Sequence, residues 1–419
     1  MRNYWIIGCL GIGVLSASEW PEWRGPGGVG FVGDGPELES LSPEKNLRWK
    51  AELPGRANST PVVADGKIFL TTAIDGKDGV VALDLKGKGL WRTTLGEMRP
   101  GRGQRVGSSA NSSPVTDGER LYVYFKSGAL GALDFDGKVL WSLNVFDTYG
   151  EDKLWWDVGT SPVLTSKGLV LAVMQTEGPS NLICFDTKTG KELWKTPRDF
   201  DVATESGDAY TTPHVRKIDG IETIISHGAD HLTGHAADDG RLLWTCAGFN
   251  PEKKGMWRVI GSPVVVDGVA VVPYGRGEFL AGVKLGGEGD ITKSAMLWKN
   301  EGMGTDAASP VAWKDKAIVL VDRGKERGKV FCVDARSGDV EWESLLPKGA
   351  QTFYASPLVV GDRIYFPRED GVVFAARLTA DGLTEVTTNE IGEGMIASPA
   401  LAGDLLLLRG AKHLFAFGE

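Results

Sequence analysis

The chain has 419 residues with a formal net charge of −9, and 24% of its residues are charged. Its mean hydropathy of −0.12 indicates a globular protein and excludes a polytopic membrane protein, a disordered chain and a coiled coil. An acidic chain without a basic block also argues against nucleic acid as a partner. Glycine occupies 57 positions, twice the usual share of about 7%, as expected for many short strands joined by tight turns.

Residues 1–18 have the layout of a signal peptide. Arg2 gives a positive start, Tyr4 to Leu15 form an apolar stretch, and Ser16-Ala17-Ser18 is a small-residue cleavage site. The stretch is too short to span a bilayer of about 30 Å, so we predict no membrane span and a protein that is periplasmic or secreted. Ile6-Ile7-Gly8-Cys9 is similar to a lipidation sequence, and a lipoprotein anchored through Cys9 is the alternative, although the apolar run continues past it.

A repeat organises the rest of the chain. A Ser/Thr-Pro-hydrophobic motif recurs eight times, with 42 to 53 residues between successive prolines, at Pro61, Pro114, Pro162, Pro213, Pro263, Pro310, Pro357 and Pro399. After each proline, β-branched runs alternate with Gly/Asp turns and give four short strands per repeat. Four-stranded units at this period predict a β-propeller.

Tryptophan marks the fourth strand of most repeats. We predict that these side chains dock between blades as structural residues, at Trp49, Trp91, Trp141, Trp194, Trp244, Trp298 and Trp342. The eighth repeat stops at Phe417 before a fourth strand, and a matching segment around Trp49 lies at residues 46–53. The predicted fold is therefore all-β: one eight-bladed propeller of four-stranded antiparallel blades over residues 45–419, its last blade closed by an N-terminal strand. Residues 19–44 are predicted to be a leader that packs on the propeller.

The pattern Ala-x-Asp-x-x-Gly-Lys-x-x-Trp, which runs from Ala82 to Trp91 and from Ala132 to Trp141, resembles the tryptophan-docking repeat of the PQQ-like propellers. This superfamily includes the quinoprotein alcohol dehydrogenases and the BamB outer-membrane assembly lipoproteins. The resemblance covers residues 20–419, and the leader from Trp20 to Pro26 is similar to the stretch before such propellers in exported bacterial proteins. The resemblance implies the fold, but it implies no activity because this fold carries both catalysts and scaffolds.

We predict that one face of the propeller carries the binding site. The loops that enter each first strand and the loops between second and third strands lie on this loop face, where rigid blades position variable loops. Its long loops interleave arginines with aromatic residues, which suits a peptide, a glycan or an anionic small ligand. The candidate binding residues are Arg99, Arg102, Arg105, Trp155, Trp156, Asp157, Tyr210, Trp257, Arg258, Phe353 and Tyr354.

Three histidines, His227, His231 and His235, fall within nine residues, and imidazole is a common metal ligand. The segment is predicted to form the hairpin between the second and third strands of the fourth repeat, with His231 in the turn. Only a register that pairs His227 with His235 brings their side chains together. We interpret the three as ordinary hairpin residues and keep a metal site as the alternative.

No catalytic motif accompanies the repeat. Quinoprotein alcohol dehydrogenases characteristically carry an adjacent Cys-Cys pair and a Ca²⁺ site, whereas the cysteines beyond the signal peptide are far apart, at Cys184, Cys246 and Cys332. Cys184 and Cys332 occupy equivalent positions in the third strands of their repeats, so we expect both to be buried. The loops contain the acids Asp157, Asp208 and Asp306, but no motif gives any of them a catalytic role. We predict no catalytic residue and no cofactor, since no motif supports PQQ or Ca²⁺.

The sequence therefore favours a non-catalytic propeller of the bacterial envelope. It is expected to bind a protein or glycan partner through its loop face, as a BamB-like scaffold does. The alternative is a PQQ- and Ca²⁺-dependent quinoprotein-type oxidoreductase that acts on alcohols or sugars.

Overall fold

The computed structural model describes residues 19–102 and 106–419, which form eight sheets arranged as blades. In every blade the four strands are hydrogen-bonded in spatial order, from an inner first strand to an outer fourth strand. The predicted all-β, eight-bladed propeller is therefore confirmed. The proposed signal peptide, including Cys9, and the candidate residue Arg105 lie outside the described residues.

Each first strand begins at the residue that follows the proline of a Ser/Thr-Pro pair. Blades 1 to 4 are formed by Val62–Ala64, Lys67–Ile74, Lys77–Asp84 and Gly89–Glu97; by Val115–Thr116, Arg120–Tyr124, Ala129–Asp134 and Val139–Asn144; by Val163–Leu164, Leu169–Val173, Asn181–Phe185 and Glu192–Pro197; and by His214–Ile218, Ile221–Gly228, His231–Ala236 and Leu242–Cys246. Blades 5 to 8 are formed by Val264–Val266, Val269–Tyr274, Phe279–Lys284 and Met296–Glu301; by Val311–Trp313, Lys316–Leu320, Lys329–Asp334 and Val340–Leu345; by Leu358–Val360, Arg363–Pro367, Val372–Thr379 and Gly382–Glu390; and by Ala400–Ala402, Leu405–Arg409, His413–Phe417 and Leu47–Glu52.

A few short elements supplement the blades. Two-residue strands, Phe31–Val32 and Gly289–Asp290, add in parallel to the first strand of blade 7 and the fourth strand of blade 4. The short helices are Val145–Tyr149 and Thr292–Ala295, and single 3₁₀ turns lie at Pro26–Gly28, Thr204–Gly207 and Gly275–Gly277. Elements this short carry no helical period of apolar residues, which is why the sequence pattern did not reveal them.

The two ends of the chain share blade 8. Leu47–Glu52 pairs antiparallel with His413–Phe417, with Trp49 opposite Ala416. The closing strand predicted at residues 46–53 is thus confirmed. Because the N-terminal strand completes the sheet, the ring closes without leaving two unpaired strand edges.

Fourth-strand tryptophans connect five of the blades to the next blade. The indole Nε1 of Trp91 donates to the carbonyl oxygen of Phe135 in blade 2 at 2.9 Å. The ring also covers Gly137 in the last turn of that blade, where an added Cβ would stand 2.6 Å from the indole. The same indole-to-carbonyl bond to the following blade is made by Trp49, Trp141, Trp194 and Trp298. All seven predicted docking tryptophans lie in fourth strands, including Trp244 and Trp342, which are buried.

The Ser/Thr-Pro motif forms a ring around the axis. The backbone N–H of Thr60 donates to Ser113 Oγ at 2.9 Å, and that of Ser113 donates to Ser161 Oγ at 2.9 Å. Equivalent bonds of 2.9 to 3.0 Å continue through Thr212, Ser262, Ser309, Ser356 and Ser398. This Ser/Thr ring explains the repeat physically, because seven of its eight hydroxyls, from Ser113 to Ser398, each satisfy a buried backbone donor of the neighbouring blade.

The leader crosses the propeller axis beneath the Ser/Thr ring, on the side away from the loop face. Thr116 of blade 2 donates its N–H to the carbonyl of Pro21 at 2.9 Å, and Ala312 of blade 6 donates to Val29 at 3.2 Å. Blades 2 and 6 lie opposite each other in a ring of eight. Between these two contacts the leader also accepts a hydrogen bond from Arg216 of blade 4, and Trp23 lines the channel itself. The leader therefore covers the channel at this end.

Apolar side chains fill the interfaces between neighbouring blades. Three cysteines, Cys184, Cys246 and Cys332, are buried among them and form no disulfide. The predicted burial of Cys184 and Cys332 is thus confirmed. In the part of the chain that the structure describes, no helix has the length and apolar character needed to cross a membrane.

Candidate functional site

The loop face opens into a funnel of about 600 Å³ at the propeller axis. Its wall includes six members of the Ser/Thr ring, and Trp23 of the leader also lines it. Because the leader covers the channel below, the funnel opens towards the loop face. Its volume falls within the range of about 300–1,000 Å³ that is usual for ligand sites.

The candidate binding residues do not all reach the funnel. Five of them line the funnel: Trp156, Asp157, Tyr210, Arg258 and Tyr354. Trp257 and Phe353 are instead buried in the core between blades, where Trp257 packs against Tyr274 and Phe279. Trp155 stands in solvent on the loop face, with 49% of its surface exposed.

Two of the candidate arginines hold loops together. Arg99 Nη1 donates to Asp152 Oδ2 at 2.9 Å, and Arg102 Nη1 donates to the carbonyl oxygen of Leu154 at 2.6 Å. These contacts join the loop that enters blade 2 to the loop that enters blade 3. Neither arginine is among the residues that line the funnel.

Asp157 is buried where the same two loops meet. It forms an ion pair with the equally buried Lys126, and its carboxylate accepts the backbone N–H of Arg102 at 2.8 Å. Lys126 also donates to the carbonyl oxygen of Pro100 at 2.8 Å. A buried pair with these extra hydrogen bonds fixes one wall of the funnel, because separating it would leave an uncompensated charge.

A hydrogen-bond network supports Trp156 on the adjacent wall. Its backbone N–H donates to the hydroxyl oxygen of Tyr210 at 3.0 Å, and its indole Nε1 donates to Glu205 Oε1 at 3.2 Å. The Tyr210 hydroxyl in turn donates to buried Asp208 at 3.4 Å. Burial raises the pKa of Tyr210 far above that of a free phenol, so its hydroxyl stays neutral and available as a donor.

Four arginines from blades 5 and 6 line the other side of the funnel: Arg258, Arg276, Arg323 and Arg327. Arg258 lies 3.2 Å from Asp306 and 3.5 Å from Glu205, and Arg323 pairs with Asp306 as well. Of the four, sequence analysis singled out Arg258 alone. A local signal for Arg276 was present in Gly275-Arg276-Gly277, a glycine-flanked arginine between the second and third strands of blade 5.

Asp322 holds the loop that positions Asp306. Its buried carboxylate accepts the backbone N–H groups of Asp306 at 3.1 Å, Ala308 at 3.0 Å and Ala307 between them. Burial raises the pKa of Asp322, and the neighbouring Asp306 charge acts in the same direction. Its role in this geometry is to anchor a turn of backbone.

The carboxylates of the funnel do not fit a calcium site. Asp157 is paired with Lys126, Asp306 with two arginines, and Asp322 accepts three backbone N–H groups. Calcium takes about six to eight oxygen ligands, and each of these carboxylates already has its partners. The described cysteines lie in blade strands and do not line the funnel. The residues present therefore do not match a PQQ- and calcium-dependent centre.

The histidine hairpin of blade 4 does not converge on one point. Its strands pair His227 with Leu232 and Ile224 with His235, so His227 and His235 project from opposite faces of the sheet. His231 was expected in the turn, but it opens the third strand, because the turn uses the preceding two residues in the left-handed conformation. Among the residues that the structure covers, no three His, Cys, Asp or Glu side chains are grouped to hold a metal ion.

The fold and the docking tryptophans define an eight-bladed propeller of the PQQ-like class with a funnel covered at one end. A family model described as outer membrane protein assembly factor BamB matches residues 21–204, 156–290 and 290–413. The chain therefore belongs to the BamB family.

Relatives and solved structures are consistent with this assignment. The BamB protein of Burkholderia pseudomallei is 24% identical over 86% of this chain and 84% of its own length. The BamB protein of Bordetella pertussis is 22% identical over 71% of this chain and 69% of its own length. Two solved structures share the fold. BamB from Moraxella catarrhalis matches with a TM-score of 0.61 and 15% identity, over 88% of this chain and 99% of its own length. A quinohemoprotein alcohol dehydrogenase from Comamonas testosteroni matches with a TM-score of 0.70 and 12% identity, over 97% of this chain and 81% of its own length.

Proposed function

We propose that the chain is a non-catalytic scaffold of the bacterial envelope that binds a protein of the outer-membrane assembly machinery through its loop face. Membership of the BamB family supports this role, as do the two BamB relatives. The observation that carries the proposal is a set of exposed apolar side chains on hydrogen-bonded loops of the loop face, Trp155, Trp156 and Met256, whose surfaces are 49%, 47% and 46% exposed. We call this set the loop-face patch.

The loop-face patch rests on three loops that are hydrogen-bonded to one another. The backbone N–H of Trp155 donates to Asp208 at 2.9 Å, which joins the loops entering blades 3 and 4. Ser206 Oγ donates to the carbonyl oxygen of Lys254 at 2.8 Å, which joins the loops entering blades 4 and 5. A patch held in this way loses little conformational entropy on binding, and aromatic residues and methionine are enriched in protein interfaces.

The oxidoreductase alternative has less support in the geometry. The likeness to the alcohol dehydrogenase concerns the fold, and the carboxylates of the funnel are engaged by lysine, arginine and backbone N–H groups. A glycan partner stays a prediction from the arginines and aromatic residues of the loop face. Export to the envelope is part of the proposal, and the family and the predicted signal peptide support it.

Co-purification tests the proposal. The tagged full chain is isolated from the envelope of the bacterium that produces it, and assembly-machinery proteins are quantified by mass spectrometry. We expect the double variant Trp155→Ala/Met256→Ala to recover at least 10-fold less of them, since truncating interface anchors costs about 2 kcal/mol or more. The control is Leu242→Ala, which removes an equally exposed side chain (49%) from an outer strand of blade 4.

Two results would contradict the scaffold role. One is recovery of no assembly protein by the wild-type chain, and the other is equal recovery by the double variant and the control. A parallel titration with PQQ and Ca²⁺ follows dye reduction in the presence of alcohols and sugars. Saturable, substrate-dependent reduction would favour the oxidoreductase alternative, and we expect none.

A further inference from the structure

Two arginines in the funnel carry charge that no carboxylate balances. In the described parts of the chain, Arg276 has neither a hydrogen bond nor an ion pair. Arg327 donates from Nε to the carbonyl oxygen of Gly349 at 3.2 Å and has no acidic partner there. Both residues are partly buried, and neither guanidinium gains a counter-charge from the described residues.

The other charges around the funnel are matched. Lys126 is paired with Asp157, and Arg323 with Asp306. Arg258 lies between Asp306 and Glu205, and the carboxylate of Asp322 is held by three backbone N–H groups. Arg276 and Arg327 are therefore the cations lining the funnel for which the described residues supply no acidic partner, in a chain whose net charge is −9.

The backbone presents Arg276 to the funnel in an unusual conformation. Gly275, Arg276 and Gly277 all have positive φ angles, of 63°, 58° and 87°. Residues other than glycine seldom adopt this region, and arginine is not among the few that are enriched there. Such conformations concentrate at ligand-binding sites, where the surrounding structure maintains them.

The funnel also adjoins the loop-face patch. Trp156 belongs to the patch and lines the funnel, so a partner bound on the patch lies at the funnel's mouth. Ile260, Ile396 and Trp23 line the same funnel as Arg276 and Arg327 and give it apolar surface. This combination suits a chain segment that brings a carboxylate on an otherwise apolar body, since arginine binds carboxylates with paired hydrogen bonds.

We propose that an acidic segment of the protein partner enters the funnel, where a side-chain or C-terminal carboxylate binds Arg276 and Arg327. This inference rests on the proposed function, because the partner is the protein that binds the loop-face patch. It adds the chemistry of the segment and the two residues of this chain that select it.

The test combines charge variants with cross-linking. Co-purification from the envelope is repeated with Arg276→Gln/Arg327→Gln and with the charge-conserving Arg276→Lys/Arg327→Lys. The control is Arg336→Gln, which changes an exposed arginine on the opposite face. Thermal unfolding verifies that each variant is folded. In a second arm, benzoylphenylalanine replaces Ile396, and the partner peptide that it cross-links in the native complex is sequenced.

We expect the glutamine double variant to recover at least fivefold less partner than the control, with the lysine variant in between, and the cross-linked peptide to contain Asp, Glu or a C-terminus. Equal recovery by the glutamine variant and the control, or a cross-linked peptide without a carboxylate, would overturn the inference. Failure of the proposed function looks different, because the wild-type chain would then recover no assembly protein or Trp155→Ala/Met256→Ala would have no effect.

Discussion

Glycine in the last turn of a blade is what allows the preceding blade to dock its tryptophan. Gly137 has a φ of +87°, and its missing side chain leaves room for the indole of Trp91. Gly190 stands in the same relation to Trp141. Two demands therefore meet at one position, a left-handed backbone and an approach too close for a Cβ atom.

A matched pair of variants separates these two demands. Gly118 has nearly the same φ, +89°, but an added Cβ there meets no atom within 4 Å. We expect Gly118→Ala to lower the free energy of unfolding by about 1 kcal/mol through the backbone alone. Gly137→Ala should cost a further 1–3 kcal/mol or so because its Cβ overlaps the ring. Equilibrium urea unfolding measures both, and equal losses would show that the indole contact contributes nothing.

The hairpins on the loop face are joined to one another as elements. Asp78, at the start of the third strand of blade 1, accepts a hydrogen bond from the Ser127 hydroxyl of blade 2. The Asp78 carboxyl is fully buried, and its other oxygen has no partner among the described residues. Burial raises the pKa of Asp78 to about 7, and the charge of Glu97 acts in the same direction.

The raised pKa of Asp78 makes stability depend on pH. In the folded chain Asp78 stays protonated up to about pH 7, whereas in the unfolded chain it loses its proton near its ordinary pKa of 3.8. Its stabilising contribution is therefore complete below pH 3.8 and is lost as the pH rises to about 7. Within this window the slope approaches 1.4 kcal/mol per pH unit or so.

Asp78→Asn tests this contribution, because asparagine has no proton to lose. Between pH 5 and 7.5 we expect the free energy of unfolding of this variant to fall less than that of the wild-type chain. Asp75→Asn is the control, since Asp75 lies exposed on the same hairpin. Parallel pH profiles for Asp78→Asn and the wild-type chain would contradict the assignment.

At the scale of the whole molecule, the sequence predicts the fold better than the site. The repeat reveals the blades because every blade contributes to the same Ser/Thr-Pro ring and five blades share the same docking turn. Contacts between different loops decide the site, and these follow no period. Arg102 pairs with a carbonyl of another loop, and Trp257 turns into the core while its neighbour Met256 stays exposed.

The funnel likewise depends on the whole molecule. Its arginines come from blades 5 and 6, whereas Trp23, which also lines it, comes from the leader. The leader covers the channel only because it is bonded to blades on opposite sides of the ring. The lining residues lie far apart in the sequence, so the funnel forms only when the blades and the leader come together in the closed ring.

Site-specific photo-cross-linking in intact envelopes tests the central claim, that the loop face binds an outer-membrane assembly protein. Benzoylphenylalanine replaces Met256 in the loop-face patch or Arg336 on the opposite face, where the side chain is 72% exposed. We expect cross-links to an assembly protein from position 256 and none from position 336. Cross-links to such a protein from position 336 alone, or from neither position, would contradict the claim.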